Sequence, residues 1–557
     1  MADLLSVGIS GLQAYRRALD TASHNIANAN TPGYSRQRVE LGTQAPTAYG
    51  SGYIGSGVQV NTVRRLSDEL IQGRVVNDAA AFGRLDSYSG LASRLDALVS
   101  DPAVGMGAPL NGLFDAFNSL AQQPSSGAAR QNVLAAAAGL SDQFQQLQAQ
   151  LDGISRELNT EIGTRVETIN SQSAALAALN ERIALAYGQA GGQPPNDLLD
   201  ERDARVAALA EQIGIQTVAR DDGGVDIFTA TGQSLVSGKT ATPLATVQPE
   251  PPDGPLQILH GGRAPVTEQL SGGRLGGLLD ARRELVEPAR AGLGRLAAAV
   301  ALRVNAVHAE GVDAYGEAGT ALFSTPLAAV RAAAGNTGNA QVEARLETLD
   351  AVPATPLQLR FDGAAWQLSD VRSGAALPLS GSGTPGDPLR GAGMVFSFTG
   401  SAAAGDRLIL EPLSAQAGAL RPVQTDPARL AAAAATTTDA AGNVVATGPG
   451  SGDNRNAQAL AALSAQGVVD GGRTSLVGLH QRLVTDNGVK AQQAGLQRDA
   501  RAAIRDQTLA ARESLSGVNL DEEAADLIRF QQAYQASARV IQVADTLFQT
   551  LLQAVGR

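Results

Sequence analysis

The chain has no cysteine in 557 residues. A disulfide framework, a thiolate metal site and a cysteine nucleophile are therefore excluded. Aromatic residues are scarce, at 4%, whereas Ala is abundant and suits closely packed helices because of its high helix propensity. Positive charge is also in deficit, 43 Lys and Arg against 54 Asp and Glu for a formal net charge of -11. No basic run breaks that balance, so no nucleic acid partner is expected. No uninterrupted apolar window of about 18 residues is present, and no membrane insertion is expected. Met1–Leu5 lacks a positive region followed by an apolar stretch, so no cleavable secretory signal is expected.

What is present points to folding and packing. The length exceeds what one hydrophobic core usually supports, which predicts several domains. The apolar fraction of 44% is ample for folding.

Helical periodicity dominates. Leu5, Leu12, Leu19 and Ile26 recur every seven residues, with Ile9 in the same stripe; this predicts an amphipathic helix over residues 3–28. Thr31-Pro32-Gly33 ends it, because Pro32 biases Thr31 away from helical geometry and Gly33 permits a turn. Residues 42–63, rich in Gly and Tyr, carry little helical signal. Residues 67–187 read as mostly helical. The clearest stripe there is Leu147, Leu151, Ile154, Leu158, Ile162, Val166 and Ile169, and a short acidic helix follows over 196–213. Alternation takes over at 215–236, with Asp221-Asp222-Gly223-Gly224 as the turn of a hairpin. A Pro-rich run at 249–255 and a helical block at 270–308 follow. Residues 311–421 read as a small β domain, in which Asp362-Gly363 turns Leu357–Phe361 back toward Trp366. Residues 426–514 read as Ala-rich helix, interrupted at 448–456. In the last helix Leu527, Tyr534, Ile541 and Phe548 lie seven apart, with Phe530, Ala544 and Leu551 alongside. Asn519 and Glu522 have the spacing of a capping box at its start, and Asp521, Glu522 and Glu523 suit the positive end of the helix dipole.

The two ends thus carry clean apolar seams, although chain ends usually fray. Pairing the ends with each other, and with ends of neighbouring chains, would remove both seams from water. Periodicity alone does not separate that arrangement from ordinary packing inside a bundle.

Chemistry is poorly represented. His24, His260, His308 and His480 form no HExxH pattern, and neither GxSxG nor a Walker A sequence occurs. Asp200 and Asp203 share a helix face with Arg202 and Arg205 nearby, and read as solvated charges rather than as the acid pair of a secreted hydrolase. No catalytic, cofactor-binding or metal-binding residue is assigned.

Four stretches carry a resemblance. Ala27-Asn28-Ala29-Asn30-Thr31-Pro32-Gly33-Tyr34-Ser35-Arg36 is similar to the N-terminal signature of the flagellar rod, hook and hook-associated axial protein family. Ser516-Gly517-Val518-Asn519-Leu520-Asp521-Glu522-Glu523, with the helix after it, resembles that family's C-terminal segment. Pro195-Asn196-Asp197-Leu198-Leu199-Asp200-Glu201-Arg202-Asp203 and Gly452-Asp453-Asn454-Arg455-Asn456-Ala457-Gln458-Ala459-Leu460 resemble the branch that joins hook to filament. The resemblance is weakest across 311–421.

It implies a mainly α, discontinuous multidomain fold with an inserted β part. The terminal helices (1–62 plus 515–557) would pair in coiled-coil fashion. A long-helix bundle (63–310 plus 422–514) would form the middle and a small β domain (311–421) the outside. It implies a non-enzymatic structural component of the bacterial flagellum, self-assembling as a ring or helical layer on the distal end of the hook. Another axial protein, of hook or distal rod type, is the alternative. Its partners would be itself, the hook protein, the next hook–filament junction protein and a cytoplasmic export chaperone. Its place would be extracellular, after export without a cleaved signal. The turn Asn28, Asn30, Thr31, Pro32, Gly33, Tyr34 would direct the chain outward. Leu5, Ile9, Leu12, Leu19, Ile26, Leu527, Phe530, Tyr534, Ile541, Phe548 and Leu551 would form the assembly interface.

Overall fold

The structure, a computed structural model, describes residues 2–49, 52–101, 105–248, 255–384, 386–435, 437–438, 444–445 and 452–555. The Pro-rich run at 249–254 and the Gly-rich residues 448–451 lie outside the described residues.

The chain opens with α1 (Ala2–Ala27) and passes into two nested hairpins. β1 (Gln37–Thr43) pairs antiparallel with β4 (Val58–Arg65), and between them β2 (Thr47–Tyr49) pairs with β3 (Gly52–Ile54). These strands occupy the Gly- and Tyr-rich stretch. Asp68 then caps α2 (Glu69–Ser100), its carboxylate accepting from the amides of Leu70 and Ile71 as an N-cap should. After α3 (Gly107–Gln122) comes α4 (Gly127–Gln189), a single helix of 63 residues capped by Ser126. Its stripe from Leu147 to Ile169 is buried throughout, Leu147 and Leu151 in one cluster with α3 and Ile154 onward in a second with α5 (Asn196–Gln212) and the small sheets that follow.

Those sheets are β5 (Ile215–Ala219), β6 (Val225–Thr229), β7 (Ser234–Ser237) and β8 (Thr240–Ala241) in that order, then β9 (Leu244–Val247), β10 (Gln257–His260) and β11 (Ala264–Pro265). Gly223 takes φ +80° in the β5–β6 turn, a conformation that Gly adopts without steric penalty. Next, α6 (Gly273–Ala281) runs through one π-helical turn, Arg282–Val286, into α7 (Glu287–Ala309).

The inserted β part begins with β12 (Gly311–Val312) and builds an antiparallel eight-stranded sheet. Its strands are β13 (Leu327–Ala332), β14 (Gln341–Leu346), β15 (Leu357–Phe361), β16 (Trp366–Asp370), β17 (Ala376–Leu377), β18 (Leu389–Gly391), β19 (Met394–Thr399) and β20 (Arg407–Glu411). Their order is β17-β16-β15-β20-β13-β14-β19-β18. One face of this sheet joins the same buried cluster as α3, the first half of α4 and α7.

The return path departs from the sequence reading. After α8 (Gln416–Ala419), the chain makes one 3-10 turn at Pro427–Arg429 and is then extended rather than α-helical over 430–435, where β21 (Ala433–Ala434) pairs with β12. Ala431, Ala432 and Ala433 are buried, so their small size serves a tight fit that overrides their helix propensity. Among the described residues helix resumes at α9 (Arg455–Ala462), followed by α10 (Leu476–Ser516) and α11 (Leu520–Val555). The fold is thus mainly α with an inserted β region, and its two terminal helices lie side by side.

Candidate assembly site

The terminal pair is antiparallel, with Gly8 against Ile541, Gly11 against Ser537 and Asn25 against Glu523. A Cβ on Gly8 would stand 2.7 Å from the Ile541 side chain, and one on Gly11 would stand 2.8 Å from the Ser537 hydroxyl. Ala14, Ala18 and Ala22 are also buried. Small residues therefore set the close approach of the two helices, as at other tight helix contacts in which side-chain bulk fixes the axial distance.

The larger apolar residues fall elsewhere. Leu5, Ile9 and Ile26 of α1 are 40%, 42% and 37% exposed, and Phe548 and Leu551 of α11 are 53% and 44% exposed. Leu12, Leu19, Leu527, Phe530 and Tyr534 are half-buried, as is Ile541, which packs on Gly8. Leu4, Ile528, Val543, Leu547 and Leu552 add to the open apolar surface. Continuing the register from Gly8–Ile541 puts Ala2 level with about Leu547, so roughly the last two turns of α11 extend past the start of α1.

At the other end of the pair a polar node ties the termini to the body. Asn25 is buried and fully engaged: its amide nitrogen donates to the Gln37 carbonyl (2.9 Å) and to Glu523 Oε2 (3.1 Å). Its oxygen accepts from the Gln37 amide (2.9 Å) and the Tyr34 hydroxyl (2.8 Å). Arg36 holds Glu523 at 2.6 Å and Glu522 at 2.5 Å, with Asp526 at 3.7 Å. Glu523 is only 2% exposed. Burial works against the Arg36 charge, but the hydrogen bond to Glu522 and the field of Glu523 outweigh it and raise its pKa. The Arg36 amide donates to the Ser516 carbonyl at 2.8 Å, and Arg512 donates to the Gly33 carbonyl at 2.9 Å.

The body contributes α5. Arg65 Nη1 lies 2.8 Å from Asp200 and 2.7 Å from Asp203, and the Ser35 amide donates to Asp200 at 2.9 Å. Gln37 donates to Asp197 at 2.7 Å, and Asn196 donates to the Val63 carbonyl at 2.8 Å. Burial, followed by the fields of Asp197, Asp200 and Glu523, pushes the Tyr34 phenol well above its ordinary pKa and keeps it a hydrogen-bond donor.

Two sequence expectations change here. Asp200 and Asp203 are not solvated; both are buried on Arg65. Glu522 does not complete a capping box. Asn519 accepts from the Asp521 amide at 3.0 Å, while the Glu522 carboxylate is taken by Arg36. The turn after α1 runs through Gly33 at φ +83°. Asn28 acts through its side chain, donating to the His24 carbonyl and accepting from Thr31; Asn30 and Pro32 are exposed. Asn25 lies outside the quoted signature, and only its position on the Gly- and Ala-bearing face of α1 could have flagged it.

Three of the four signature stretches thus meet in one node. The fourth, 452–460, sits apart, where Asn454 donates to the Ala121 carbonyl and Asn456 to the Ala431 carbonyl. Matches to known proteins follow the same division. The family model described as Flagellar hook-associated protein FlgK helical domain covers residues 92–323. Models described as Flagella basal body rod protein and Flagellar basal body rod FlgEFG protein C-terminal cover 5–34 and 512–554. Over its length the chain is 32% identical to flagellar hook-associated protein 1 of Escherichia coli K12, with 99% of this chain and 100% of the relative aligned.

The chain belongs to the flagellar hook-associated protein 1 family. The hook-associated protein 1 of Bacillus subtilis is 26% identical, over 98% of this chain and 96% of its own length. The solved structure of the flagellar hook junction protein FlgK from Burkholderia pseudomallei is similar at TM-score 0.67 and 25% identity, covering 79% of this chain and 100% of that one. As a member of the hook-associated protein 1 family, the chain is a structural component of the bacterial flagellum. The rod-type matches fall on the two terminal helices that the node clamps together.

Proposed function

We propose that the chain forms the layer joining hook to filament, and that the outward apolar face of its terminal helix pair is its assembly surface. One observation carries this reading: Gly and Ala of α1 receive Ile541 and Ser537 of α11, leaving Leu5, Ile9, Phe548 and Leu551 open. Burying a whole Leu or Phe side chain contributes about 1.5–3 kcal/mol, and about half of each is still available. Several such side chains per subunit, shared among neighbours, can offset the entropy cost of association. The partners are further copies of the chain, the hook protein below and the next junction protein above. Its work is association, without catalysis. A cytoplasmic chaperone would cover the apolar ends before export of the unfolded chain, for which the lack of cysteine is suited.

The proposed division is a terminal module of 1–62 with 515–557, a helical module of 63–310 with 422–514, and a β module of 311–421. In this scheme the node of Asn25, Arg36, Arg65, Asp200 and Glu523 fixes the angle of the terminal pair on the helical module. The test is binding to isolated flagellar hooks, imaged by electron microscopy, with full-length protein and with a version lacking residues 1–26. A distal layer with full-length protein alone supports the reading. A layer with both would move the contact to the helical module.

A further inference from the structure

A recessed cleft of about 180 Å³ opens between α4, the π-helical turn and the edge of the β region. Within a chain of net charge -11, this cleft is lined by five arginines (Arg282, Arg283, Arg290, Arg331 and Arg372) and by only two carboxylates, Glu287 and Glu411. Four of the arginines have acidic partners: Arg283 with Asp280 (2.6 Å), Arg290 with Asp152 (2.7 Å), Arg331 with Glu411 (2.9 Å) and Arg372 with Glu287 (2.8 Å).

Arg282 differs. It is 9% exposed and lines the cleft, yet among the described residues no carboxylate lies within ion-pair distance of it. Its guanidinium donates to neutral oxygens, the Leu256 carbonyl at 3.2 Å and Asn159 Oδ1 at 2.5 Å. Nearby, the buried Arg290 Nε has no hydrogen-bond partner among the described residues. Glu287 and Glu268 act on Arg282 only through their fields; a buried cation with no direct ion-pair partner is unfavourable, and an arginine fork is suited to a planar oxyanion. The π turn, a feature often found at functional sites, brings Arg282, Arg283, Val286 and Glu287 together onto the cleft wall.

We propose that this cleft binds a small organic anion, a carboxylate or phosphate on a ring-sized apolar body, with Arg282 as its charge partner. The size fits, since an apolar cavity of about 150 Å³ admits benzene. Leu158, Val286, Ala291 and Leu413 provide apolar wall. Burial also pulls the Arg282 pKa down, and an entering anion would relieve that effect. Nothing in the assembly role calls for such a site, so this proposal stands apart from the junction reading.

The experiment titrates the full-length chain with benzoate by calorimetry, with benzyl alcohol and benzylamine as neutral and cationic counterparts. Benzoate is expected to bind saturably at millimolar concentration or below, and the two counterparts at least about tenfold more weakly. Arg282→Gln should lose about tenfold or more in affinity. Ala354→Trp, at an exposed position on the cleft lining, should block binding while leaving the melting temperature unchanged, which keeps the test open if Arg282→Gln fails to fold. Equal binding of benzoate and benzyl alcohol, retained binding in Ala354→Trp, or no saturation up to about 10 mM would overturn the proposal.

Discussion

The long helix α4 and the terminal pair α1–α11 carry apolar stripes of the same rhythm and bury them oppositely. In α4, Leu151, Ile162 and Ile169 are at most 1% exposed. In the termini, Ile9 and Phe548 stay open, and glycines and alanines of α1 receive Ile541 and Ser537 of α11. Among the described residues, none of the buried apolar clusters contains a residue of α1 or α11. A periodic stripe specifies which face of a helix is apolar, but the partner of that face is decided by what else the helix carries. In α1 a second face of Gly8, Gly11, Ala14, Ala18 and Ala22 lets α11 approach closely, and this leaves the larger side chains for other contacts.

The contrast can be broken at several points. Removing Arg65 by Arg65→Ala should have the largest effect, because Asp200 and Asp203 would remain buried and unpaired; a loss of about 3–5 kcal/mol is expected in chemical denaturation. Ile162→Ala in α4 should cost about 2–5 kcal/mol through the cavity it leaves in a fully packed interior. If that substitution were neutral, the contrast between the two regions would fail. Glu523→Gln should cost about 1.5–3 kcal/mol, and its loss should appear as faster hydrogen exchange in the first turns of α11 with α4 unaffected.

A pH effect separates the body from the termini in another way. His308 is buried, its Nδ1 lies 2.6 Å from the Thr320 carbonyl, and its Nε2 accepts from the Ala431 amide at 3.0 Å. This is the geometry of a neutral ring. Burial lowers its pKa, so the unfolded chain takes up the proton first as pH falls below about 6.5. The stability from the neutral ring is full above that pH and is lost as pH drops toward the folded-state value. Melting temperature should therefore fall between about pH 6.5 and 5, and His308→Gln should flatten that slope. The smallest effect on folding, within about 0.5 kcal/mol, is expected for Phe548→Asp on the open face.

Much of the architecture was legible in the sequence. The terminal helices, the α4 stripe and the hairpins at Asp221–Gly224 and Asp362-Gly363 follow from local periodicity and turn chemistry. The extended path at 430–435 was not legible, because a run of alanine reads as helix until a partner strand, here β12, claims its backbone. The node was legible only in pieces. Asp200 and Asp203 have the spacing of a surface pair, and nothing local shows that Arg65 will bury them. Glu522 and Glu523 suit a helix dipole equally well whether or not Arg36 stands opposite. Residues far apart in the chain, such as Asn25 and Glu523, become a site only through the fold.

The most direct test of the central claim is Phe548→Asp combined with Leu551→Asp, compared with the unaltered chain on isolated hooks by electron microscopy, with melting temperatures measured in parallel. The account predicts unchanged melting and complete loss of the distal layer. Hooks capped as well by the double variant as by the unaltered chain would contradict it.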